Sequence, residues 1–365
     1  MRQSARRLRE LRFAMPANLE FSAGHNARIE DDKTVVWNPG SDGGELRWKI
    51  QLPLERGRDH FDAMLDANWG IFRAEDVIPR AHTRALKGST SRTTLSFDLP
   101  TGWTAISEYS SIDSKIEIDL PERRFDQPQG WIAVGKLGVR RETVAGTRLT
   151  VAGPLNQGVR RMDMLALLNW TLPELNRLLP NTISRLTILS AGDPMWRGGL
   201  SAPASIYIHA DRPLISENGT STLLHEVMHV AMGISAADGY DWIVEGFAEY
   251  YGLRLLADSG TVSARRHKKS LEQLAEWGDT AESLCASQST GATTARAVSL
   301  LVTLNTEIQQ VSGGKRSLDD VLLVIVAASE KVSLKTLSDA VTELLQVSSR
   351  TLNIDDLAGC HTGKR

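Results

Sequence analysis

Thr220-Ser221-Thr222-Leu223-Leu224-His225-Glu226-Val227-Met228-His229-Val230-Ala231-Met232-Gly233 is the most informative stretch of this chain. It is strongly apolar and contains no proline. Thr220 or Ser221 can cap its start, and Gly233 stands near its end, which predicts a helix over 221–234. On a helix, residues i and i+4 lie one turn apart on the same face. His225 and His229 can therefore reach one metal ion. Glu226, beside them on the turn, is suited to hold a water at that metal rather than to bind the metal itself. His-Glu-x-x-His is the arrangement of helix-borne zinc hydrolase sites. The plain alternative is a buried helix whose histidines are only core residues or caps.

The next helical segment argues against that alternative. Asp241-Trp242-Ile243-Val244-Glu245-Gly246-Phe247-Ala248-Glu249-Tyr250-Tyr251 carries two carboxylates at i and i+4. A catalytic zinc ion takes three protein ligands and leaves a fourth position open. Glu245 is the candidate third ligand, and Glu249 the candidate acceptor for the free ring N–H of a ligand histidine. Trp242, Phe247 and Tyr250 mark the segment as largely buried, where unpaired carboxylates are costly. Gly246 is expected to let the two helices approach closely.

Outward from this centre the chain divides in character. Residues 18–153 read as β. Leu46, Trp48, Ile50 and Leu52 alternate with polar neighbours, as do Ile116, Ile118 and Leu120, which puts one face in a core and the other in water. Further strands are expected at 35–37, 93–97, 103–107, 131–134 and 147–152, separated by turn clusters such as Asn38-Pro39-Gly40 and Leu99-Pro100-Thr101-Gly102. Many short strands so punctuated predict an antiparallel β-sandwich. Residues 154–365 form the expected catalytic domain. A helix is expected over 161–179, broken or begun at Pro173, then strands at 186–189 and 205–209. Helices follow at 241–256, 264–277, 293–311, 318–328 and 334–345. The fold class is thus α+β. Residues 1–17, with Arg2, Arg6, Arg7, Arg9 and Arg12, read as a basic tail.

Composition sets the outer bounds. The chain has 365 residues, 41% hydrophobic and 24% charged, values of ordinary globular domains that exclude collagen or a disulfide scaffold. Lys+Arg number 42 and Asp+Glu 44, so no electrostatic case exists for nucleic acid as a partner. The longest apolar run, Val321 to Ala328, falls far below the roughly 20 residues of a membrane span. Cys285 and Cys360 are the only cysteines. They read either as one disulfide, implying an oxidising compartment, or as two unrelated thiols. The compartment stays open: periplasmic or exported if a leader was lost from the N-terminus, otherwise cytoplasmic. The sequence does not determine the oligomeric state.

His225-Glu226-x-x-His229 followed by Trp242-x-x-Glu245-Gly246-Phe247-Ala248-Glu249-Tyr250 resembles the gluzincin zinc metallopeptidases, most closely the glycyl aminopeptidase branch and more distantly the alanyl aminopeptidases. Leu99-Pro100-x-Gly102-Trp103 is similar to a motif of their N-terminal β domain. Gly291 to Leu304 and Gly313 to Asp320 are similar to their later helices. The resemblance implies a thermolysin-like, mainly helical peptidase domain and one zinc ion per chain on His225, His229 and Glu245. It also implies Glu226 as general base and a peptide or protein as substrate. Three departures accompany it. Only fifteen residues separate His229 from Glu245, a shorter spacer than in the alanyl branch. That branch holds the substrate amine with a glutamate on an edge strand, whereas the matching stretch here, Gly198-Gly199-Leu200-Ser201-Ala202-Pro203-Ala204-Ser205, has no acid. The family also has an oxyanion-stabilising tyrosine where this chain has Gln288. Candidate oxyanion donors are therefore Gln288, Tyr207, His209 and Tyr240, and Gly198, Gly199, Leu200 and Ser201 are the candidate substrate edge strand. Tyr207, His209 and Tyr240 also admit purely structural readings. From these departures comes the competing reading, a zinc-binding pseudoenzyme or peptide-binding module.

Overall fold

The computed structural model describes residues 1–3, 6–57, 59–109, 115–118, 128–285, 288–353 and 357. The chain opens with β1 (Leu8–Ala14), β2 (Leu19–Gly24), β3 (Ala27–Glu30), β4 (Thr34–Trp37), β5 (Leu46–Ile50) and β6 (Leu54–Glu55). Next come β7 (Phe61–Leu65), β8 (Trp69–Arg73), the short helix α1 (Ala74–Val77) and β9 (Ala81–Ala85). β10 (Thr93–Ser96), β11 (Thr104–Ile106), β12 (Lys115–Ile118) and β13 (Trp131–Gly135) follow. The named strands up to this point pair antiparallel, in the orders β3-β4-β1-β9, β2-β5, β10-β12 and β11-β13-β8-β7-β6. Side-chain alternation builds the contacts between sheets. Phe13, Leu19 and Val35 meet Phe21, Trp48 and Ile50 in one apolar cluster. In β8, Trp69 and Ile71 face one cluster while Phe72 faces another.

The expected basic tail over 1–17 is not what the structure shows for residues 8–14. β1 lies between β4 and β9, with Leu8 and Phe13 buried. The arginines concealed this strand: Arg9 and Arg12 sit on its more accessible positions, and Arg12 pairs with Glu30 at 2.7 Å. The alternation expected to reach Leu120 is seen as β12, and residues 119 and 120 lie outside the described residues. So does Cys360, and with it the Cys285–Cys360 pairing.

β14 (Leu137–Val144) and β15 (Thr147–Pro154) form a hairpin, followed by α2 (Arg161–Leu178), β16 (Arg185–Ala191), β17 (Gly199–Ala202) and β18 (Ser205–His209). These strands make one sheet in the order β14-β15-β16-β18-β17. β15 pairs parallel with β16, and β16 with β18. A boundary at 153/154 would cut through this sheet. The periodicity of 147–152 predicts a strand but carries no information about its neighbour, and that neighbour is β16. α2 runs straight through Pro173. A proline there removes one backbone hydrogen bond, but Leu165, Leu168, Leu172 and Leu175 anchor the helix in the core on both sides of it.

The rest is helical: α3 (Thr222–Met232), α4 (Asp241–Asp258), α5 (Ala264–Gly278), α6 (Ala292–Val311), α7 (Leu318–Ala328) and α8 (Leu334–Leu345). Each lies within two residues of its expected bounds. α4 is apolar around most of its circumference, with Trp242, Ile243, Phe247, Ala248, Tyr251 and Leu256 all essentially inaccessible. Such a helix must be covered on all sides, and α2, α3, α5 and α6 pack against it. Among the described residues, no helix is long and apolar enough to cross a membrane.

Gly246 does not face α3 as expected. A Cβ there would lie 2.8 Å from Ala297 Cβ and 3.3 Å from Leu301 Cδ1, both on α6, whereas Gly252 is the glycine that faces Leu224 and His225. Gly246→Val should therefore overpack the α4–α6 contact and lower the unfolding free energy by about 1–3 kcal/mol. Urea denaturation measures this. A variant as stable as the parent would show that the two helices are free to separate.

Candidate metal centre

α3 begins at Ser221, whose hydroxyl accepts from the Leu224 N–H, and ends at Gly233, which takes the left-handed conformation with φ 59°. The two caps limit the helix to three turns, and Leu223, Leu224, Val227, Met228 and Ala231 bury one face of it. His225 and His229 stand on the remaining face, one turn apart, opposite α4. Glu245 and Glu249 stand one turn apart on α4 and look back at them.

The four side chains meet. Glu245 Oε2 lies 3.1 Å from His225 Nε2, and Glu245 Oε1 lies 3.3 Å from His229 Nε2. The two Nε2 atoms are 3.1 Å apart. Glu249 Oε2 is 2.9 Å from His225 Nδ1. With Nδ1–H donating to Glu249, the lone pair of His225 Nε2 is left for a cation. Ligand atoms of His225, His229 and Glu245 all lie within 4.8 Å of one another.

The electrostatics carry the same demand. Burial alone would lower the His225 pKa, but Glu245 and Glu249 outweigh it and raise it well above the ordinary 6.5. Burial would raise Glu245, yet its contacts with His225 and His229 hold it at about 2. Nitrogen lone pairs and carboxylate oxygens this close need a positive charge among them. Two imidazole nitrogens and one carboxylate oxygen form a donor set that zinc accepts. The residues present therefore fit a zinc ion.

Glu226 stands beside this cluster, in the lining of the same cleft. It is 7% exposed, and burial raises its pKa, an effect that His225 and His229 partly offset. It rests on the edge strand β17. A Cβ at Gly199 would fall 2.6 Å from Glu226 Cγ and 2.7 Å from Oε1, so only glycine admits the carboxylate there. Ser201, two residues along, makes a side-chain hydrogen bond with Glu226. Of the candidate edge-strand residues, Gly199, Leu200 and Ser201 lie in β17, and Gly198 immediately precedes it.

A cleft of about 300 Å³ opens beside His225, Glu226, Glu245 and Glu249. Among the described residues, its lining includes none of the four candidate oxyanion donors. Gln288 is exposed, and its neighbours Ser289 and Thr290 line the cleft instead. Tyr207 is fully buried against Trp131 and donates to the Ala191 carbonyl at 3.2 Å. His209 is buried with Nε2 3.4 Å from Asp193 Oδ1. Tyr240 caps α4 and packs on the core. Their types suit the task, but the tertiary structure spends Tyr207, His209 and Tyr240 on packing. The sequence reading did not anticipate Arg212, Trp277, Ser289 or Thr290 in the lining.

Glu249→Ala should weaken zinc binding by about 10–100-fold, because it frees the His225 ring from its anchor. Competition with a chromogenic chelator measures this. Unchanged affinity would remove the assigned role.

No known family profile and no curated protein matches the sequence, but solved structures do match its fold. An aminopeptidase N family protein from Idiomarina loihiensis superposes with a TM-score of 0.67 at 13% identity, over 95% of this chain and 74% of that one. An M1 zinc metallopeptidase from Deinococcus radiodurans superposes with a TM-score of 0.56 at 15% identity, over 97% and 89%. A two-domain M1 zinc metallopeptidase bound to L-arginine gives 0.58 at 16% identity, over 96% and 86%. At such identities the likeness is one of fold, and the fold this chain shares is that of the M1 zinc metallopeptidases.

Proposed function

We propose that this protein is a zinc-dependent peptidase, with one zinc ion per chain on His225, His229 and Glu245 and with Glu226 as general base. The observation that carries the reading is the convergence of those three donors within 4.8 Å, with Glu226 on the adjoining helix position and at the cleft wall. Its N-terminal strands are read as a β-sandwich from their alternation and turn punctuation, and its helical part as thermolysin-like, as the sequence resemblance implies. The fold it shares with M1 metallopeptidases supports the peptidase class.

A zinc ion in this centre supplies Lewis acidity, polarising water and a substrate carbonyl. The chain's own residues do the rest. Glu249 keeps the His225 ring in the orientation that leaves Nε2 free. Glu226 takes a proton from the attacking water as the water oxygen bonds to the carbonyl carbon. It returns that proton to the amide nitrogen as the C–N bond breaks, which releases the amine. Ser201 and the bare face of Gly199 hold the Glu226 carboxylate at the cleft wall.

An aminopeptidase-like specificity belongs to the same reading. It draws on the family resemblance alone, since the stretch from Gly198 to Ser205 carries no acid that could bind the amine. A pseudoenzyme would need no Glu226, and a purely structural zinc site closes its fourth position with a protein ligand.

Glu226→Gln should keep the zinc and lower hydrolysis by roughly 10²–10⁴-fold, because the isosteric amide cannot take a proton. Metal content by emission spectroscopy and turnover on a mixed peptide library check the two halves. Undiminished turnover in the zinc-loaded variant would exclude Glu226 as the base. Zinc-loaded parent protein with no cleavage across the library would exclude the peptidase.

A further inference from the structure

The metal cleft has two unlike walls. The segment between β18 and α3 contributes Arg212, Asn218 and Thr220, all polar. The wall made by α5 and the start of α6 contributes Leu274, Trp277 and Ala295 together with the polar Thr294. Leu274 is buried and belongs to the main core. Trp277, one helical turn later, is 47% exposed. The chain turns into α6 directly against its indole: a Cβ at Gly291 would lie 3.2 Å from Trp277 Cζ2. The ring is therefore backed by a helix start on one side and left accessible elsewhere.

A half-exposed indole on the wall of a concave site is an apolar contact surface that a ligand can cover. Aromatic side chains so placed carry binding energy through area at small entropic cost, since only two χ angles need fixing. We infer that Trp277, with Leu274 and Ala295, forms an apolar subsite beside the metal centre. It takes a bulky apolar side chain, aromatic or branched, from a peptide residue next to the scissile bond. The inference rests on the peptidase reading and adds to it the class of side chain selected. The contrast with the Arg212 wall supplies direction: a bound peptide sets its apolar side chain against α5 and its polar neighbour toward the β18–α3 segment.

The test uses the full-length zinc-loaded protein and two hydroxamates that differ only in side chain, one derived from phenylalanine and one from glycine. Affinities come from calorimetry, and zinc content is measured in every variant. Trp277→Ala should weaken the phenylalanine hydroxamate by roughly 10- to 100-fold and leave the glycine hydroxamate within about 3-fold. Trp277→Phe, which keeps an aromatic face, should restore most of the discrimination. Equal losses for both ligands, or no loss for either, would overturn the subsite, and so would a Trp277→Phe variant no better than Trp277→Ala. A parent protein that holds zinc and prefers the glycine hydroxamate would overturn it too, while leaving the peptidase reading intact. A parent protein that binds neither zinc nor either hydroxamate would remove the peptidase reading, and the subsite with it.

Discussion

The placement of Glu245 and Glu249 on a helix that is otherwise buried governs much of the rest. An uncompensated charge in such a position costs roughly several kcal/mol. α4 can therefore be covered by its neighbours only if those carboxylates meet hydrogen-bonding or cationic partners where they emerge. They meet His225 and His229 on α3, at 2.9–3.3 Å. The same contact orients the rings, because Glu249 claims Nδ1 of His225 and leaves Nε2 to the centre. Packing and chemistry are thus one constraint here. α3 lies against α4 in the register that pairs these side chains, and that register brings the candidate metal donors together.

A second constraint fixes the edge strand that faces Glu226. Trp131, in β13, is completely buried. Its indole N–H donates to the Leu200 carbonyl at 3.0 Å, and its backbone N–H donates to Ser205 Oγ at 2.9 Å. The first bond reaches β17 and the second reaches β18. An N-terminal strand therefore holds the edge strand on which Glu226 rests. The apolar cluster of Trp69, Ile71, Trp131, Leu189, Met195 and Tyr207 spans both parts of the chain. The N-terminal strands are consequently part of the support for the site, although the described cleft lining draws no residue from them.

The fate of the four candidate oxyanion donors follows from the same packing. A tyrosine or histidine near a metal motif in sequence is chemically competent, yet its hydrogen-bonding group is available only if the core leaves it free. Tyr207 is spent on the Ala191 carbonyl, and His209 is buried with its Nδ1 accepting from the Asp211 N–H. The segment before α6 is pulled in by Ser289, whose N–H donates to Asp241 Oδ2 at 2.7 Å. That bond leaves Gln288 on the outside and brings Ser289 and Thr290 to the cleft.

The sequence by itself determined the helices and their limits, and it named His225, His229 and Glu245 as the candidate donors that the structure brings together. Each of these rests on local information: the four-residue repeat of a helix, a serine or glycine at its end, and carboxylates spaced by one turn. Tertiary structure alone decided what is non-local. It made β15 the partner of β16 rather than a member of the N-terminal sheets, and it carried α2 through Pro173. It buried β1 despite the arginines on its open face, and turned Gly246 toward α6 and Gly252 toward α3. It also selected which polar side chains reach the cleft and left the indole of Trp277 on its wall. Periodicity records which face of an element is apolar. It contains nothing about which other face will cover it, because that depends on the shapes and volumes of segments far away in the chain.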